Sequence, residues 1–158
     1  MNTETGNRLT STGLLILRLG IGGFFLTHGW GKLQMLLDGQ AEQFGRHLGL
    51  NPQISLGLMV FAEFVCSILI MLGLATRLAC IPPIIGMAVA VLTVHAADPW
   101  AMNQAGSSKE PALHFLIVFL ALLCTGPGCF SLDALFCRKC CKTCEPSSKT
   151  PAPPPTYG

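Results

Sequence analysis

Gly13-Leu14-Leu15-Ile16-Leu17-Arg18-Leu19-Gly20-Ile21-Gly22-Gly23-Phe24-Phe25-Leu26-Thr27-His28-Gly29-Trp30-Gly31-Lys32-Leu33-Gln34-Met35 is an apolar run long enough to cross a bilayer, yet it carries Arg18, His28 and Lys32. An uncompensated charge at the centre of a membrane helix costs about 2.5 to 3.5 kcal/mol on insertion scales, so such groups face a bundle interior or an aqueous cavity, or snorkel to an interface. The rest of the chain must therefore supply partners. At 100° per residue the three side chains fall within an arc of roughly 80°, with Phe25 inside it. The opposite face carries Leu14, Ile16 and Ile21, and the glycines at 20, 22, 23, 29 and 31 would let neighbouring helices approach closely.

Composition points the same way. The 158 residues are 51% hydrophobic and 11% charged, with a mean hydropathy of +0.55, whereas a soluble domain has about a quarter of its residues charged. The expected fold is all-α, an integral membrane four-helix bundle. A net charge of +2 and the absence of any nucleic-acid motif argue against nucleic acid as a partner. The first run is too long for a cleaved signal peptide, is interrupted by Arg18, and continues into Gly29-Trp30-Gly31-Lys32 rather than a small-x-small site.

Along the chain, residues 1–12 read as a short frayed start, 13–128 as the bundle, 129–144 as a cysteine-rich amphipathic juxtamembrane helix and 145–158 as a disordered Pro-rich tail. After the first span comes a polar connection in which Ala41 to Leu50 places Phe44, His47 and Leu48 at helical spacing, predicting a short interfacial helix. The second span, Ile54 to Ala75, holds one ionisable residue, Glu63, near its middle. The connection at Thr76-Arg77 is so short that the second and third spans must be antiparallel neighbours. The third, Leu78 to Ala97, tolerates Pro82-Pro83 in its first turn, pairs Gly86 with Ala90 as small residues, and ends near His95. Trp100 would sit at the headgroup level. The fourth is apolar only over roughly 14 residues, Ala112 to Thr125, short of the 20 or so a bilayer needs, so the helix is expected to start near Lys109 and draw Glu110 and His114 toward the membrane. Gly126-Pro127-Gly128 stops it, and Ser131 would cap a terminal helix with Asp133 in its first turn.

Lysine and arginine outside the spans set the orientation. Arg8, Arg77, Arg138, Lys139, Lys142 and Lys149 lie on one side, against Arg46 and Lys109 on the other, so both ends are expected in the cytoplasm. Depth then follows from the helical rise: His28 and Glu63 lie about 10 and 13 Å from the outer ends of their spans. Lys32, His95, Glu110 and His114 gather nearer the outer surface. One reading is that Glu63 merely pairs with His28 or Lys32 to hold the bundle. The other is a cavity for a polar redox headgroup such as a quinone, with His28, Glu63 or His95 moving protons and Lys32, Trp100, Glu110 and His114 binding the ligand. A zinc or iron site using His28, His95, His114 and a glutamate suits the ligand chemistry but matches no metal-binding spacing. Arg18 lies toward the cytoplasmic end, where it would snorkel or pair with Asp133.

Taken together, Gly13-Leu-Leu-Ile-Leu-Arg18-Leu-Gly20, Phe24-Phe-Leu-Thr-His28-Gly-x-x-Lys32-Leu, Glu63, Gly73-Leu-Ala-Thr-Arg77-Leu, His95 and Gly126-Pro-Gly-x-x-Ser131-Leu-Asp133 resemble the DoxX family over about residues 13 to 135. The resemblance implies a small four-helix protein of the bacterial inner membrane, related to the membrane subunits of thiosulfate:quinone oxidoreductase. Some family members are linked to quinone detoxification and to membrane-bound thiol and superoxide defence. Arg18, Arg77 and Asp133 carry over as framework positions, and His28, Lys32, Glu63 and His95 as site positions. Membrane lipids and other subunits of a redox complex are the implied partners, with self-association allowed. A non-catalytic anchor or assembly subunit is the alternative, and a small-solute carrier a third, disfavoured because no internal repeat or interrupted helix pair is visible.

The cysteine-rich end departs from that pattern. Cys137-x-x-Cys140-Cys141-x-x-Cys144 places four thiols at i, i+3, i+4 and i+7, on one face of a helix. Three readings stay open for thiols in a reducing cytoplasm: a metal or iron–sulfur cluster site, thiol–disulfide exchange, or a tail without chemistry.

Overall fold

The computed structural model describes residues 3–44, 50–100 and 108–136, and its side-chain detail begins at Thr5. Among these residues every regular element is helical. Helix α1 runs over Thr3–Leu37, α2 over Pro52–Leu72, α3 over Thr76–Val94, α4 over Glu110–Thr125, and a short α5 over Leu132–Phe136. The first three are long and apolar enough to cross a membrane, and α4 is a shorter apolar helix.

The frayed start expected for residues 1–12 gives way to helix from Thr3. Extending a formed helix costs far less than nucleating one, and the threonine hydroxyls fold back onto it: Thr10 donates to the Gly6 carbonyl at 3.0 Å and Thr12 to that of Arg8 at 2.9 Å. In the following connection a 3-10 turn forms at Ala41–Phe44; His47 and Leu48, the rest of the expected interfacial helix, lie outside the described residues.

The buried positions of α1 are Ser11, Arg18, Gly22, Phe25 and Gly29, spaced by sevens, threes and fours along one stripe. That stripe meets α2, and Phe25 joins Ile70, Cys80, Met87, Ala112, Phe119 and Leu122 in a core drawn from four helices. Phe25 packs on both Phe115 and Phe119, with ring centroids 4.9 Å away in each case. Leucines, isoleucines and phenylalanines such as Ile16, Phe24, Leu92 and Ile117 point outward, as lipid-facing positions do.

One end of the packed helices is tied by polar contacts between their turns. Asp133 Oδ1 accepts from the Ala75 N–H at 2.7 Å and Oδ2 from the Thr76 N–H at 3.0 Å, so α5 caps the start of α3. In return the Asp133 N–H donates to the Gly73 carbonyl at 2.9 Å. This cap holds Ala75 in the left-handed region at φ 46°. Arg18, fully buried, donates from Nη2 to the Phe130 carbonyl. Of the two expectations for Arg18, snorkelling is overturned by its full burial, and among the described residues it makes no direct ion pair with Asp133, whose carboxylate oxygens accept from the α3 N-terminus. Arg77 donates to the Cys124 carbonyl at 3.4 Å and lies against Gly126. Ser131 caps α5, its Oγ accepting from the Ala134 N–H at 3.0 Å.

Candidate functional site

Two of the helices are not α-helical throughout. In α2 a π turn covers Phe61–Val65, and the Cys66 N–H reaches back five residues to the Phe61 carbonyl. In α3 a second covers Ala90–Val94, where the His95 N–H donates to the Ala90 carbonyl at 2.9 Å. Such single turns are rare and recur at functional sites. One contains Glu63 and the other ends on His95.

The first π turn also brings α1 onto α2. A Cβ at Gly29 would stand 2.7 Å from both the Glu63 carbonyl carbon and the Phe64 nitrogen, so only a hydrogen fits there. The Glu63 carbonyl accepts from Ser67 Oγ at 2.5 Å. With the backbones this close, Lys32, one turn beyond Gly29, places Nζ 2.5 Å from Glu63 Oε2. The carboxylate is 2% exposed and the lysine side chain 25%. In so dry a position the pair persists because each ion is the other's solvent.

The pair forms part of the wall of a cavity of about 680 Å³ between α1, α2, α3 and the start of α4. His28 and His95 line it too, and most of the remaining wall is apolar, including Phe25, Met59, Ile85, Met87 and Phe115. His28 stands edge-on to Phe115, with centroids 5.7 Å apart at 87°. A largely apolar cavity of this size with a few convergent polar groups is what small-molecule sites have in common.

Thus four of the residues singled out in the sequence, His28, Lys32, Glu63 and His95, come to one place. Glu110 and His114 do not. Both are exposed on α4, whose inward stripe is Ala112, Phe115, Phe119 and Leu122, and positions 110 and 114 fall on the opposite side. Trp100 is also exposed, outside the lining, with the Lys109 ammonium 5.3 Å from its ring centroid. Among the described residues no three His, Cys, Asp or Glu side chains gather as metal ligands. Cys66, Cys80 and Cys124 are free thiols, Cys129 is disulfide-bonded, and Cys137, Cys140, Cys141 and Cys144 lie outside the described residues.

Sequence reasoning missed Asp98, whose Oδ2 lies 2.6 Å from His95 Nδ1. The i, i+3 spacing and the following Pro99 were the available signal, that of a turn closing on the helix end. It also missed both π turns, for which no residue pattern exists, and the role of Gly29, which looked like any other glycine in the run.

The DoxX family profile matches residues 13–96, just over half of the chain. The chain belongs to the DoxX family. The matched region holds Arg18, His28, Lys32, Glu63, Arg77 and His95 and ends before Asp133. This DoxX protein is also similar to Inner membrane protein YqjF of Escherichia coli (strain K12), 28% identical over 132 residues that cover 84% of this chain and 98% of that protein. No solved structure matches it significantly. Its apolar helices make it a multi-pass membrane protein.

Proposed function

We propose that this DoxX protein is the membrane subunit of a quinone-linked oxidoreductase of the bacterial inner membrane, acting in thiosulfate, quinone or thiol redox chemistry. In this reading α4 is a fourth span that completes a four-helix bundle, both chain ends face the cytoplasm, and the cavity receives the ring of a quinone. The observation that carries the reading is the Lys32–Glu63 pair set into an otherwise mainly apolar cavity that His28 and His95 also line. Apolar walls suit a lipid-soluble ring, while the Lys32 ammonium offers hydrogen bonds to its oxygens and the imidazoles add polar groups to the same wall. The location named for the similar Escherichia coli protein supports the choice of membrane.

The test is equilibrium binding of ubiquinone-1 to the purified chain in lipid nanodiscs. Glu63→Gln should weaken binding about tenfold, by removing the charge that holds Lys32 in place. Circular dichroism shows whether the variant is folded. Absence of binding to the native chain, or unchanged binding in a folded Glu63→Gln variant, ends this reading.

A second reading, a non-catalytic anchor or assembly subunit, is favoured by the ties among Arg18, Phe130, Asp133 and Thr76, which fix one end of the bundle without serving the cavity. Under it, His28→Ala and His95→Ala would lower the amount of assembled complex and leave its turnover unchanged.

A further inference from the structure

His95 belongs to two surroundings at once. Its side chain lines the cavity, and its Nδ1 lies 2.6 Å from Asp98 Oδ2, with the two side chains 33% and 27% exposed. The backbone holds this geometry at both ends. The His95 N–H is fixed to Ala90 by the π turn, and the Asp98 N–H donates to the His95 carbonyl at 3.1 Å. Asp98 itself is not part of the lining.

A carboxylate can only accept a hydrogen bond, so Nδ1 must carry the hydrogen. The bond made by one ring nitrogen decides the state of the other. In the neutral imidazole Nε2 is then left with its lone pair for whatever enters. The other ionisable groups around the cavity offer something different: Lys32 on α1 is a pure donor held by Glu63 of α2, and His28 packs against Phe115. Helix α4 contributes only Pro111, Ala112 and Phe115, since Glu110 and His114 point away.

Resting on the quinone reading above, we propose that Asp98 is a positioning residue: it fixes His95 with hydrogen on Nδ1, so that Nε2 accepts from a ligand hydroxyl and the site prefers a hydroquinone ring to the oxidised quinone. A quinone carbonyl has only lone pairs and would meet the lone pair of Nε2 with no hydrogen between them. A hydroquinone hydroxyl supplies that hydrogen. Sites built to satisfy one hydrogen-bonding pattern discriminate against a partner that leaves a polar group unpaired.

Two measurements on the full chain in nanodiscs decide this. The first is the nitrogen-15 spectrum of labelled histidine, with His95→Gln identifying the His95 signals. The native chain should show His95 protonated at Nδ1, and Asp98→Ala should abolish that preference. A native His95 carrying its hydrogen on Nε2, or a tautomer unmoved by Asp98→Ala, overturns the role of Asp98. The second compares ubiquinol-1 with ubiquinone-1. The native chain should bind the reduced form about tenfold more tightly, and Asp98→Ala should bring the ratio toward one. Equal affinities in the native chain overturn the preference. If neither compound binds, the quinone reading falls and the ligand preference with it, while the spectrum independently decides whether Asp98 positions His95.

Discussion

Gly29 rests on the backbone of Glu63, with room between them for a hydrogen and nothing more. That contact sets the register of α1 against α2. It places Lys32 one turn further on, within reach of the Glu63 carboxylate, at 2.5 Å. A glycine with no chemistry of its own thus determines where an ion pair can form.

Gly29→Ala should destabilise the chain by about 1–3 kcal/mol, because the added methyl meets backbone that cannot swing aside. Gly20 is the control, since a Cβ there meets nothing within 4 Å. Gly20→Ala should leave stability unchanged or raise it by up to about 1 kcal/mol. Thermal unfolding of both variants in the same detergent measures the difference, and equal shifts would contradict the close-approach argument.

The two halves of the Lys32–Glu63 pair should respond unequally to removal. Lys32→Met strands a carboxylate that is 2% exposed, at a cost on the order of 3–5 kcal/mol. Glu63→Gln leaves a lysine that is 25% exposed beside an amide that still accepts, for about 1–2 kcal/mol. Removing both charges with Lys32→Met and Glu63→Leu should recover most of the loss. Denaturant titration of the three variants tests this order; equal losses in the single variants would rule out the buried-charge explanation.

At the opposite end, Asp133→Ala removes the acceptor for the Ala75 and Thr76 N–H groups and should cost about 0.5–2 kcal/mol, the usual worth of a helix cap. Ala75→Gly should act in the other direction, gaining up to about 1 kcal/mol by relieving a left-handed alanine. Melting temperatures would show opposite signs for the two changes.

Topology is open to direct measurement. The excess of lysine and arginine in the connection at residues 76 and 77 and near both ends predicts that a C-terminal green fluorescent protein fusion fluoresces and an alkaline phosphatase fusion is inactive. An active phosphatase fusion would overturn the orientation drawn from the charge bias.

Much of this architecture was legible because charge in an apolar run is costly. Arg18, Lys32 and Glu63 had to turn inward, and counting residues from the span ends put His28, which lines the cavity while staying exposed, at a depth similar to Glu63. Counting gave depth without azimuth, however. Glu110 and His114 lie at the cavity end of α4 but on its outer side, since Ala112, Phe115 and Phe119 claim the inner one. Arg18 and Asp133 were assigned to the same end, with snorkelling or pairing left open for the arginine; Arg18 is buried on the Phe130 carbonyl, and the α3 N-terminus takes the Asp133 oxygens, a competition that no sequence pattern announces. Cysteines 137, 140, 141 and 144 fall outside the described residues.

Each π turn adds one residue to a helix without adding a turn. In α2 this inserts a phase shift between the segment below, where Cys66, Ser67 and Ile70 pack the core, and the segment above, which carries Leu56 and Val60. The two halves are therefore rotationally uncoupled: the lower can keep its packing face while the upper presents a different set of side chains to the cavity. Deleting one residue from Phe61–Val65 would restore an unbroken α-helix and turn everything on one side of the deletion by about 100° relative to the other. Glu63 meets Lys32 from within that surplus turn.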